Sequence, residues 1–189
     1  MTKGYELEEV WGERRRLLQG FSRYGYTPQT ALADLLDNSL AADATEVRIE
    51  INELVDGTYQ VFIVDNGKGM TRTKLKSAIA FGSPKDIQDS QLSKFGFGMK
   101  TASLEVSPDG FSILTRSRET NELCAASLLE CDQEGVGAPT VRFWEEESID
   151  PTWLATLNAL AGINGSGTVV IWENADLKAA DRYKESRNE

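Results

Sequence analysis

The chain has 189 residues, 40% of them apolar and 26% charged, which is the balance of a globular protein with a core of its own. With 30 acidic against 20 basic residues the net charge is −10, a surface that repels nucleic-acid phosphates, so no direct nucleic-acid binding is expected of this segment. Histidine is absent, which removes Ser-His-Asp triads, histidine-ligated zinc and phospho-acceptor histidines together.

The first residues are polar and no apolar run reaches membrane-spanning length, so the expected setting is cytoplasmic, with no membrane partner. Residues 1–24 read as a polar, partly helical lead-in. Thr27-Pro28 then predicts a capped helix with Ala31, Leu32, Leu35, Leu36 and Leu40 as its buried stripe. Strands are expected at 47–52 and 58–65, joined through Asp56-Gly57 as a hairpin. The Gly-, Ser- and Lys-rich stretch at about 70–98, with a short helix near Leu75–Ala80, suggests a mobile lid. A helix near 97–106, strands at 111–118, 122–130 and 140–144, a helix from Pro151 to about Gly162 and a strand at 167–173 complete the series. Residues 176–189 form a polar tail or the start of a linker. Cys124 and Cys131 make no Cys-x-x-Cys pair and are expected as reduced, partly buried thiols. Hairpin-like connections among these elements point to an α+β fold: a two-layer sandwich of a mixed, mostly antiparallel sheet with helices on one face.

Four segments carry candidate chemistry. Asp34 and Asn38 sit four apart on a helix and share a flank, where a carboxamide oxygen can ligate Mg²⁺ and a carboxylate can orient water. Asp65 ends an apolar strand, and Gly67 and Gly69 after it allow a sharp turn and a close approach by a flat ligand. Gly96 and Gly98 run into a helix amino terminus bearing Lys100, an anion site that is neither a P-loop nor a dinucleotide fingerprint. Gly167-Thr168 opens the last strand. Taken alone, each segment reads more simply as a solvated face, a strand-ending turn, a helix cap or an ordinary strand threonine.

In this order the four resemble the motif series of the GHKL ATPases, the superfamily of DNA gyrase, heat-shock chaperones, MutL-type proteins and sensor histidine kinases. DNSLAADATEVRI is similar to the corresponding stretch of MutL-type proteins, and FGFGMKTAS and GTVVIWENAD to the microrchidia (MORC) ATPases. The resemblance spans roughly residues 20–175 and implies a domain at 25–175 that binds ATP and Mg²⁺. By that resemblance Asp65 accepts from the adenine amino group, Thr168 supports it through water, and Gly67, Gly69 and Met70 shape the pocket wall. Asn38 holds Mg²⁺. Phe95, Gly96, Phe97, Gly98, Met99 and Lys100 cradle the phosphates, and Ser83 and Lys85 belong to a lid motif beside them.

The resemblance also implies nucleotide-dependent lid closure and homodimerisation, and a further domain supplying a lysine. The chain is therefore expected to be part of a longer protein, or a stand-alone module with feeble turnover. Asp34 stands where the family places a glutamate that activates water. It keeps the charge on a side chain one methylene shorter, so ATP binding is the firmer expectation and hydrolysis the weaker one. A non-hydrolysing ATP-sensing dimerisation module and a protein kinase of the same fold are the alternatives.

Overall fold

The computed structural model describes residues 5–9, 27–79, 98–107, 109–129 and 140–177. Among them, β1 (Tyr5–Glu9), β2 (Val47–Glu53), β3 (Tyr59–Asp65), β4 (Gly110–Arg116), β5 (Leu123–Leu129), β6 (Thr140–Trp144) and β7 (Gly167–Ala175) form one sheet. Its order is β1-β6-β5-β4-β7-β3-β2, and every neighbouring pair is antiparallel. The helices are α1 (Pro28–Ala41), α2 (Arg72–Ile79), α3 (Gly98–Val106) and α4 (Pro151–Ala161), with a 3₁₀ turn at Glu146–Ser148.

The central strands are apolar on both faces, and each face needs its own cover. Val61 and Ile63 of β3, Ile113 of β4 and Val170 and Trp172 of β7 pack with Ala31, Leu35, Leu75, Ile79, Ala102 and Val106 of α1, α2 and α3. The alternate residues Phe62, Val64, Leu114, Val169 and Ile171 pack against Trp153 and Leu157 of α4. Each such fully buried side chain contributes roughly 1.5–3 kcal/mol, so neither face is dispensable. The α+β class and the antiparallel sheet beneath a helical layer agree with expectation; α4 adds cover on the second face.

Local chemistry explains the helix ends. The Thr27 hydroxyl accepts from the Thr30 amide and Thr30 bonds back to the Thr27 amide, while Pro28 fills the first turn. The Asp150 carboxylate accepts from the Thr152 amide at 2.7 Å, and Gly162, with φ 83°, stops α4.

Two expectations are corrected. Tyr5–Glu9, within the expected lead-in, pairs with β6 as an edge strand. On α1 the inward positions are Pro28, Ala31, Leu35 and Ser39, whereas Leu36 and Leu40 lie exposed. Ser39 takes the inward place in the last turn because it bonds to a carboxylate on the sheet, and the helical period then turns Leu36 and Leu40 outward.

Candidate functional site

A polar row crosses the sheet at the end of β3. Asp65 at the end of β3 faces Thr168 on β7, which faces Thr115 on β4, which faces Cys124 on β5. Strand alternation turns all four toward the face that carries α1, α2 and α3. The Thr115 hydroxyl donates to the Gly167 carbonyl (3.0 Å), accepts from the Met70 amide (2.9 Å) and lies 3.2 Å from the Thr168 hydroxyl.

Asp65 is 8% exposed. Burial pushes its carboxyl above the usual aspartate value, and the Gly67 amide, the Ser39 hydroxyl and the Thr168 amide offset only part of that rise. The Gly67 amide donates to Oδ1 at 2.8 Å and the Ser39 hydroxyl to Oδ2 at 3.2 Å. Both oxygens keep acceptor capacity. A buried carboxylate held this way can read one hydrogen-bond donor on a flat, apolar ligand.

The turn after Asp65 is clamped on three sides. The Asn66 side chain accepts from the Thr45 and Glu46 amides at 2.9 and 3.0 Å and donates to the Thr45 hydroxyl at 3.0 Å. The Lys68 amide donates to the Ala42 carbonyl, the Arg118 amide to the Lys68 carbonyl, and the Ser166 hydroxyl to the Gly67 carbonyl. Gly69 has φ 60°, and a Cβ there would lie 2.0 Å from the Arg116 carbonyl oxygen, so only glycine fits.

Two helices point their ends at this part of the sheet. α1 brings its last turn against Asp65 through Ser39. α3 runs in the same direction as β7: the Asp176 amide bonds to the Val106 carbonyl, and Trp172 Nε1 donates to the Ser103 hydroxyl at 2.9 Å. Its amino terminus, with Gly98, Met99 and the fully buried Lys100, is thereby directed toward the end of the sheet that holds Asp65 and Thr168. Such a terminus carries partial positive charge. α1 and α3 pack on each other, which puts this terminus in the same helical layer as half-buried Asp34 and exposed Asn38.

A profile of the family described as histidine kinase-, DNA gyrase B- and HSP90-like ATPase matches residues 26–148, nearly two thirds of the chain. The chain belongs to this GHKL ATPase family. ATPase MORC2 of Homo sapiens is 30% identical over 129 residues, 66% of this chain and 12% of its own length. MORC family CW-type zinc finger protein 3 of Mus musculus is 27% identical over 184 residues, 82% of this chain and 19% of its own. DNA mismatch repair protein MutL of Solibacter usitatus is 31% identical over 123 residues, 60% of this chain and 18% of its own. The chain thus spans less than a fifth of the length of these curated relatives.

Membership of the GHKL family supports ATP binding. Of the expected site residues, Asp65, Gly67, Gly69, Met70 and Thr168 come together in the polar row and its turn. Asp34 and Asn38 share one flank of α1, and Gly98, Met99 and Lys100 open α3. Ser83, Lys85, Phe95, Gly96 and Phe97 lie outside the described residues. The first part of the expected lid is α2, whose Leu75 and Ile79 are fully buried in the core.

Sequence reasoning missed Ser39 and Thr115. Each is a hydroxyl at a position where the helical or strand period calls for an apolar residue, and that mismatch was the available signal. No helix among the described residues is long and apolar enough to cross a membrane.

Proposed function

We propose that this domain binds Mg·ATP and hydrolyses it slowly, as the ATPase part of a larger MORC-like or MutL-like protein. The observation that carries the reading is the buried Asp65, held by Gly67 and Ser39 with acceptor capacity left for one more donor. In this reading the carboxylate accepts from the adenine amino group, Thr168 and Thr115 line the floor, and the base slides in over Gly67 and Gly69. The α3 amino terminus and Lys100 face the phosphates, where backbone amides and the helix dipole favour negative charge. Asn38 supplies a neutral oxygen to Mg²⁺, a ligand type that ion accepts. The bound ion would neutralise phosphate charge. Asp34, one turn before Asn38, orients the attacking water. A lid within residues 70–98 closes over the nucleotide, and two closed domains associate.

A second reading, an ATP-sensing module without turnover, draws on Asp34 itself, whose carboxylate reaches less far than a glutamate would. One paired measurement separates the two. Nucleotide titration should find Asp34→Ala binding ATP about as well as the natural chain. Phosphate release should fall by roughly 10²–10⁴-fold, the usual worth of a positioned general base. Asp34→Glu should hydrolyse at least as fast as the natural chain, because the longer side chain brings its water nearer the phosphate. Phosphate release unchanged in Asp34→Ala removes Asp34 from the chemistry. Binding without release in both the natural and Asp34→Glu chains, with the partner domains supplied, leaves the sensor.

A further inference from the structure

β2 closes one side of the sheet, and among the described residues β3 is its single strand neighbour. An edge of this kind offers a row of backbone donors and acceptors to any strand that can lie beside it. The side chains of β2 say which strand that is. About Ile49 the sequence reads Val47-Arg48-Ile49-Glu50-Ile51, apolar and charged in turn, with opposite charges placed symmetrically.

An antiparallel second copy of β2 centred on Ile49 sets Arg48 opposite Glu50 of the partner subunit, and Glu50 opposite Arg48 of the partner subunit. Val47 then faces Ile51 of the partner subunit, and the two Ile49 side chains meet. Moving the centre by one residue brings two arginines or two glutamates face to face, which is unfavourable. Charge therefore disfavours a shift of one residue either way. A shift of two, to Val47, would again pair Arg48 with a glutamate but would set Ile49 opposite a threonine, so charge and apolar pairing together favour the Ile49 register.

The apolar surface agrees. Ile49 and Ile51 are 38% and 53% exposed, and their register partners Ile63 and Val61 place them on the face that carries α1. Leu36 and Leu40 are also exposed, on the flank of α1 opposite Asp34 and Asn38. A two-fold axis normal to the sheet keeps the helical faces of both copies on the same side, so Ile49, Ile51 and their counterparts line one seam. Arg48 already lies 3.7 Å from Glu46 and 3.9 Å from Glu50 within its own strand, with all three side chains exposed. Pairing adds a second carboxylate rather than a like charge.

We propose that two copies of this chain associate through β2, antiparallel and in register at Ile49, forming one sheet across the interface without nucleotide. The contact leaves the Asp34–Asn38 flank open and does not depend on the ATP-binding reading. Sedimentation equilibrium of the full chain without nucleotide, from about 1 to 100 µM, should show a monomer–dimer equilibrium, since an interface of this small size is weak. Arg48→Glu, or Glu50→Arg, creates two like-charge pairs per dimer and should weaken association by roughly tenfold. The double variant Arg48→Glu/Glu50→Arg should restore it. Should one single variant fail to fold by circular dichroism, the other single variant and the double variant carry the test. A chain monomeric throughout the range, a dimer indifferent to both single reversals, or a double variant as weak as the singles would overturn the proposal.

Discussion

Asp65 is a buried acid in a place that works against its charge. Asn at this position keeps an oxygen for the Gly67 amide and turns an NH₂ toward the Ser39 hydroxyl, which can accept. Asp65→Asn should therefore fold at least as stably as the natural chain at neutral pH. Its ATP affinity should fall roughly 10- to 150-fold, the loss of one charge-assisted hydrogen bond, and ATP and GTP should become harder to tell apart. The pH dependence follows from the same burial. Because the folded carboxyl titrates above 3.8, the folded state holds the proton longer than the unfolded one. Stability contributed at this site is full below the unfolded value and declines as pH rises through the folded one. Thermal unfolding of the natural and Asn chains should converge in acid and separate, in favour of Asn, above that window. ATP affinity of the natural chain should weaken on acidification at a pH above 3.8. An Asn variant with unchanged ATP affinity takes Asp65 out of the site.

At the scale of elements, the turn 66–69 joins the end of β3 to both neighbouring loops. Asn66→Ala removes three hydrogen bonds to Thr45 and Glu46, all at an exposed edge where water replaces part of what is lost. Urea denaturation should show a loss of about 1–2 kcal/mol. ATP affinity should fall with it, because the same turn aims the Gly67 amide at Asp65. A loss of stability with full affinity would mean that the turn keeps its shape without Asn66.

This turn also marks how far the sequence could be read. Asp56-Gly57, Thr27-Pro28 and Pro151…Gly162 are local signals, and the elements they bound stand within one or two residues of expectation. The meeting of Asp65, Thr168 and Thr115 depends on pairings across 103 and 53 residues, whose register no local pattern encodes. The family motif order supplied Asp65 and Thr168. Thr115, in a strand with no glycine landmark beside it, had no such signal. Leu36 and Leu40 misled for a related reason: a leucine-rich helix offers two apolar stripes, and a single hydroxyl–carboxylate bond at Ser39 decides which one faces in. β1 escaped because its alternation, Tyr5-Glu6-Leu7-Glu8, is only four residues long and is built with glutamates, which are poor strand formers.

Across the whole molecule, the sheet is the common wall of two apolar layers, and the polar row runs through the thicker of them. The last member of that row is Cys124, whose thiol lies 3.6 Å from the Met70 carbonyl beneath the turn. Burial, with Glu122 nearby, pushes this thiol up to about 12, so at neutral pH it is almost wholly protonated and shielded from reagents. A silent thiol under the pocket floor is a built-in clock. It can react only while the turn is lifted, so its alkylation rate counts openings of the floor. With Cys131 replaced by serine to leave one thiol, labelling of the native chain should be slow, should accelerate when Asn66→Ala loosens the turn, and should slow further when ATP is added. A rate indifferent to both changes would mean that the reagent reaches Cys124 by another route, and that the floor stays shut while nucleotide comes and goes.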